Sequence, residues 1–177
     1  MKKITLIAFA ALIVSTGLLG QKQNVVKTDL FSAILRTGVL KYERALNEDM
    51  SFQLGAFYTG YSPRETDARL TGIGITPEFR YYLSENPAPH GTYLAPNFRY
   101  MKLTASDDID EASLTTYGFG INIGHQVIFK EVVVIDGWIG PAYALRNVSD
   151  ETGDIDIGIG TANGFAIRIG VAIGIVF

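Results

Sequence analysis

GFAIRIGVAIGIVF, Gly164 to Phe177, divides cleanly when it is read in steps of two. Phe165, Ile167, Ile169, Val171, Ile173, Ile175 and Phe177 share one parity, while Gly164, Ala166, Arg168, Gly170, Ala172, Gly174 and Val176 share the other. Successive side chains of a β-strand point to opposite faces. The segment therefore carries one face of large apolar groups and one of small groups with a single cation. Which solvent each face meets decides the fold.

The same division recurs upstream. Ile73, Ile75, Pro77, Phe79, Tyr81 and Leu83 alternate with Gly72, Gly74, Thr76, Glu78, Arg80 and Tyr82, and Tyr117, Phe119, Ile121 and Ile123 alternate with Gly118, Gly120, Asn122 and Gly124. Beyond residue 20 no segment holds a 3.6-residue apolar period, and runs of Tyr, Phe, Ile, Val and Thr are bounded by Asn, Asp, Gly, Ser and Pro. Such a pattern predicts an all-β chain. Eight strands are expected: Val25 to Leu35, Val39 to Leu46, Met50 to Tyr61, Leu70 to Leu83, Thr92 to Ala105, Leu114 to Phe129, Val132 to Val148 and Ala162 to Phe177.

A soluble barrel of the lipocalin kind would enclose its apolar face and present charge outside. Here the second face is too poor in charge and too rich in glycine and alanine for that. Turning the large apolar parity to lipid instead leaves Lys27, Asp29, Lys41, Glu43, Glu78, Arg80, Arg99, Asp136 and Arg168 inside, five cations and four anions. An eight-stranded barrel is only just wide enough for its side chains to fill, and charges held away from water persist when paired and hydrogen-bonded. The near balance predicts an interior filled by ion pairs, with Trp138 on the same face. A cation placed at mid-membrane on the outer face would cost ~2 to 4 kcal/mol, so Arg168 belongs inside.

The connections support this geometry. Those after the second, fourth and sixth strands are Asn47-Glu48-Asp49, the turn-forming Ser84 to Gly91 and Lys130-Glu131; those after the third, fifth and seventh, Ser62 to Arg69, Ser106 to Ser113 and Ser149 to Thr161, are longer on average and more acidic. Outer-membrane barrels have short periplasmic turns and longer external loops. The expected fold is an eight-stranded antiparallel up-and-down transmembrane β-barrel, with both chain ends on the periplasmic side. Tyr42, Tyr58, Tyr81, Tyr100, Tyr117, Phe129, Tyr143 and Phe177 fall near strand ends, as interfacial girdles require.

Met1-Lys2-Lys3 followed by the apolar run Ile4 to Val14 and by Leu18-Leu19-Gly20 reads as a secretory signal peptide over residues 1–20, leaving a single barrel domain over 21–177. Removing Lys2 and Lys3 takes the formal charge from −3 to −5, and the remaining cations form no basic stripe. Nucleic acid is not an expected partner. With no cysteine there is no lipoprotein anchor, disulfide framework or thiolate chemistry.

Several stretches carry a likeness: KTDLF at Lys27 to Phe31, YERAL at Tyr42 to Leu46, GITPEFRYYL at Gly74 to Leu83, YLAPNFRY at Tyr93 to Tyr100 and GPAY at Gly140 to Tyr143. Together they resemble a family of small Gram-negative outer-membrane β-barrel proteins, common in Bacteroidota and catalogued as a domain of unknown function. The resemblance spans nearly all of the expected mature chain and brings no catalytic residues with it. Phe177, preceded by alternating apolar residues, looks like the signal read by the outer-membrane assembly machinery, with Ile175 where a second aromatic often stands.

Sites of chemistry are sparse. A lipid A-modifying or phospholipid-cleaving enzyme needs a nucleophile with a base, yet His90 falls in a periplasmic turn and His125 on the lipid-facing parity. Glu43, Glu78 and Asp136 are better read as partners of Arg80, Arg99 and Lys41 than as an acid and base. Two acidic loops, Asp107, Asp108, Asp110 and Glu111, and Asp150, Glu151, Asp154 and Asp156, offer oxygen ligands but no complete calcium-loop pattern. The glycine-rich Gly118 to Gly124 lies within a strand and lacks the helix that a phosphate loop needs. Neither catalytic nor cofactor nor metal residues are assigned. Pro77, Pro96 and Pro141 lie within strands, where they cannot donate to a ladder, and a lateral exit beside them would suit a narrow conduit for hydrophobic solutes. The expectation is a monomeric barrel in contact with outer-membrane lipid and lipopolysaccharide, serving envelope integrity or surface interaction.

Overall fold

The computed structural model describes residues 23–34, 37–61, 69–106, 111–152 and 163–177. Within them eight antiparallel strands close into a barrel in chain order: β1 (Asn24–Asp29), β2 (Thr37–Ala45), β3 (Met50–Tyr61), β4 (Arg69–Tyr82), β5 (Gly91–Ser106), β6 (Glu111–Phe129), β7 (Val133–Thr152) and β8 (Gly164–Val176), which pairs back onto β1. Strand number, order and direction are those the alternation predicts. The segment read as a signal peptide lies outside the described residues, as do 62–68, 107–110 and 153–162, the middles of the three longer connections and the site of Asp107, Asp108, Asp110, Asp154 and Asp156.

The two parities sort as the sequence divides them. Leu54, Ile73, Phe79, Phe119, Ile121, Ile123, Ile139, Ile167 and Ile169 are exposed on the outer face, whereas Lys27, Glu43, Glu78, Arg80 and Asp136 are buried inside. Six of the eight strand-end aromatics, Tyr58, Tyr81, Tyr117, Phe129, Tyr143 and Phe177, are exposed on the outer face. Tyr100 packs on Tyr117 with ring centroids 5.4 Å apart.

The first and last strands of the barrel meet at one end. The backbone N–H of Asn24 donates to the Phe177 carbonyl at 3.1 Å, and that of Phe177 donates to the Asn24 carbonyl at 2.8 Å. At this end the inward-facing Val25, Val134 and Val176 form an apolar floor with Ile128 against it. The Ser84–His90 connection folds beneath the barrel: the Ala88 N–H donates to the Glu48 carbonyl at 2.7 Å, and the buried Gln126 amide donates to the Pro89 carbonyl at 2.6 Å. A stretch that looks long for a turn thus closes the barrel mouth.

The first strand departs from expectation. It stops at Asp29 and winds into one helical turn, α1 (Leu30–Ile34), where the sequence predicted strand to Leu35. Leu30 and Phe31 are adjacent large apolar residues, which a strand would send to opposite faces; in the turn both are about half exposed, at 47% and 52%. The Ser32 hydroxyl donates back to the Asp29 carbonyl at 2.7 Å, which holds the turn. Because β1 is short, β8 finds β1 partners only from Ala172 to Val176, and its Gly164–Val171 half has none on that side among the described residues. At the other extreme β6 and β7 run beyond their expected ends, carrying Glu111, Asp150 and Glu151 as strand residues, because Ala112 and Leu114 are buried inside and keep the hairpin paired. Each strand proline breaks one ladder: Pro77 lacks a β5 partner, Pro96 a β4 partner and Pro141 a β6 partner.

Candidate functional site

Above the apolar floor lies a buried ionic layer. The Lys27 ammonium donates to Glu43 Oε2 at 2.6 Å, Gln126 Oε1 at 2.6 Å and Asp136 Oδ2 at 2.9 Å, so its three protons are all used. Arg80 spans the same carboxylates: Nε donates to Glu78 Oε1 at 2.7 Å, Nη1 reaches Glu43 Oε2 at 3.3 Å, and Nη2 lies 3.0 Å from Asp136 Oδ2. Hydroxyls fill the remaining lone pairs. Ser51 and Tyr82 each donate to Glu43 Oε1 at 2.6 Å, and Tyr93 donates to Asp136 Oδ1 at 2.7 Å. The Arg80 guanidinium also lies 4.1 Å over the Tyr93 ring. Glu78 closes the layer upward, accepting from Gln53 at 3.1 Å and from Asn122 at 2.9 Å. Every carboxylate oxygen of the layer thus has a partner, which is what allows these charges to be enclosed.

Two glycines make room for this interior. A Cβ at Gly124 would run into the Tyr93 ring, and one at Gly170 into the indole of Trp138. Each ring therefore occupies the space beside the glycine it pairs with on the neighbouring strand.

The half of the barrel away from the chain ends is hollow. A cavity of about 570 Å³ is floored by Gln53, Glu78 and Asn122 and walled by Phe57, Met101, Leu103 and Trp138. Lys41 reaches into it and pairs with Asp29 at 2.9 Å. Arg99 and Arg168 reach in as well, and among the described residues neither has a carboxylate within ion-pair distance. Arg168 donates to Asn97 at 3.3 Å and stands 5.5 Å over the Trp138 ring; Arg99 stands 4.9 Å over Phe57, and its buried Nε has no hydrogen-bond partner. The wall of the cavity also includes Phe31 and Ser32 of α1, Thr37 and Val39 of β2, and Ile167 and Ile169 beside Arg168, so it spans the stretch where β8 has no β1 partner.

Of the nine charges that parity turns inward, seven form ion pairs in two separate groups: Lys27, Glu43, Glu78, Arg80 and Asp136 below, and Asp29 with Lys41 above. Arg99 and Arg168 lie among aromatic and amide groups, so the interior is not filled throughout by pairs. The neutral half of the network, Ser51, Gln53, Tyr82, Tyr93, Asn122 and Gln126, is as buried as the charges. Charge counting misses these residues, although their inward parity was there to find them. Among the described residues no proline lines the cavity, and the wall beside β8 includes Phe31 and Ser32 of α1.

Among the described residues no group of three or more His, Cys, Asp or Glu could hold a metal ion. His125 lies on the outer face, exposed, with its ring bonded to the Thr92 hydroxyl at 2.9 Å, and His90 lies in the turn beneath the barrel.

Residues 4–151 match the model of a family described as protein of unknown function (DUF3575), and the chain belongs to that family. No curated protein and no solved structure matches the chain.

Proposed function

We propose that this member of the family is an integral protein of a Gram-negative outer membrane, exported through a signal peptide over residues 1–20 and inserted as a monomeric barrel. One observation carries the reading: the polarity of the barrel is inverted. The exterior wall is a continuous band of exposed Leu, Ile, Phe and Tyr, and the enclosed charges are the ones a soluble barrel would display. Monomeric soluble proteins rarely expose contiguous apolar patches beyond a few hundred Å². In this setting the strand-end aromatics mark the lipid interfaces, Phe177 serves the assembly machinery, and lipopolysaccharide meets the outer rim.

The role we assign is non-catalytic, in envelope integrity or surface interaction through the end opposite the chain termini. Its support is the sealed base: valine floor, ionic layer and Ser84–His90 turn lie in series, so the barrel is built to separate the two sides of a membrane and not to join them. A narrow conduit for hydrophobic solutes survives as a second reading only in a reduced form, from the outer cavity sideways through the wall beside α1. Expression in a Gram-negative host should yield protein in the outer-membrane fraction whose folded form migrates faster than the boiled form on a gel. Recovery as a soluble periplasmic monomer without heat-modifiable migration would overturn the proposal.

A further inference from the structure

We infer that the outer half of the barrel is a binding site for a single-chain carboxylate amphiphile, a long-chain fatty acid anion, whose head is held by Arg99 and Arg168 and whose tail leaves through the wall beside α1. This inference rests on the membrane reading above and adds a ligand to it.

Charge selects the head group. The nine inward charges leave one positive charge uncompensated: around the cavity Lys41, Arg99 and Arg168 stand against Asp29, while the lower layer, whose Glu78 floors the cavity, carries one negative charge in excess. A monoanion brings the enclosed charge to zero. A dianion would overshoot it and face the Glu78 and Asp29 carboxylates. Among the described residues, Arg99 and Arg168 of the cavity lining have no carboxylate within ion-pair distance, and Arg99 Nε is a buried donor without an acceptor. Guanidinium groups bind carboxylates through paired, charge-assisted hydrogen bonds.

Shape and exit select the tail. About 570 Å³ is the size of a pocket for one small ligand, too little for a lipid with several chains. Phe57, Met101, Leu103 and Trp138 line it, and Gln53, Glu78 and Asn122 block the way down. Sideways, among the described residues, α1 stands beside Gly164–Val171 of β8 where that strand has no β1 partner. Phe31 belongs both to the cavity wall and to the half-exposed surface of α1. Hydrocarbon passing there would exchange an apolar wall for the apolar membrane.

The chain's single tryptophan, Trp138, lies against Arg168 and reports on the site. In protein refolded into phosphatidylcholine vesicles, 2-bromohexadecanoate should quench Trp138 saturably, and hexadecanoate, but not hexadecanol, should reverse the quenching. Arg99→Gln, Arg168→Gln and the pair together should each keep heat-modifiable migration, and the double variant should bind at least about tenfold more weakly, or ~1.4 kcal/mol. A Ser32→Cys thiol, in a chain with no other cysteine, should be shielded from maleimide by hexadecanoate and not by hexadecanol. Non-saturating quenching, equal displacement by the alcohol, wild-type affinity in the double variant or an unshielded thiol would each overturn the inference. Those results in a heat-modifiable barrel would leave the membrane reading standing; loss of heat-modifiable migration in the wild-type protein would remove that reading itself.

Discussion

Replacing Lys27 by methionine removes a fully buried ammonium from between two buried carboxylates while keeping most of the side-chain volume. Glu43 and Asp136 lose their contacts at 2.6 and 2.9 Å, and Gln126 loses one at 2.6 Å. The lower ionic layer holds two cations against three carboxylates, and the substitution raises its excess negative charge from one to two. Breaking a buried pair from one side costs ~3–5 kcal/mol, because the remaining charge stays enclosed without its partner. Both carboxylates keep Arg80, at 3.3 and 3.0 Å, so we expect a loss within that range and not above it. Adding Glu43→Gln should recover about 2 kcal/mol, since it returns the excess to one charge. The amide oxygen can still accept from Ser51 and Tyr82, and only the 3.3 Å contact with Arg80 is given up. Coupling of this size is usual for neighbours in one network. Urea titration of the vesicle-inserted barrel, followed by Trp138 emission and by the heat-modifiable band, measures both variants. A loss below about 1 kcal/mol for Lys27→Met, or a double variant at least as damaged as the sum of the singles, would refute the reasoning and the importance assigned to this layer.

Three further outcomes follow from the packing. Ile121→Lys, at the middle of β6 on the outer face, should cost ~2–4 kcal/mol and lower assembly yield in a lipid bilayer, whereas Asn122→Ser, one residue away and facing inward, should leave assembly near wild type. Gly124→Ala should lower the urea midpoint by an amount equivalent to ~1–3 kcal/mol, because its Cβ meets Tyr93; Gly137→Ala, with nothing within 4 Å of its Cβ, should change it little. Arg99→Met should raise the midpoint slightly, since it removes a half-buried cation with no carboxylate partner among the described residues, whereas Arg80→Met should lower it by several kcal/mol; a loss of comparable size in both would show that Arg99 has a partner.

How far the sequence reveals this molecule depends on what each feature rests on. Period-two alternation follows from backbone geometry and needs no tertiary partner, so β3 to β8 and the inward set from Lys27 to Arg168 are legible directly. The end of β1 is not, because it depends on the local competition between strand and turn at Leu30-Phe31, resolved by the Ser32 back-bond. The Ser84–His90 segment is recognisable as a turn, but its place beneath the barrel depends on Gln126 and Glu48, remote in sequence. Charge balance likewise predicted pairing throughout the interior, but balance over nine residues says nothing of how they sort by height. That Arg99 and Arg168 stand apart from the pairs below them follows from strand register, which fixes which inward residue lies level with which.

The clasp between Asn24 and Phe177 joins residues 153 positions apart. Every other seam of the barrel is a hairpin between neighbours in the chain, formed at small entropic expense, but this one closes a loop of nearly the full length. The wall cannot be complete before β8 has formed and met β1. Until that last zippering, Lys27 on β1 and Asp136 on β7 face an open side and keep their hydration; water leaves the charged centre only when all of its partners are already in place.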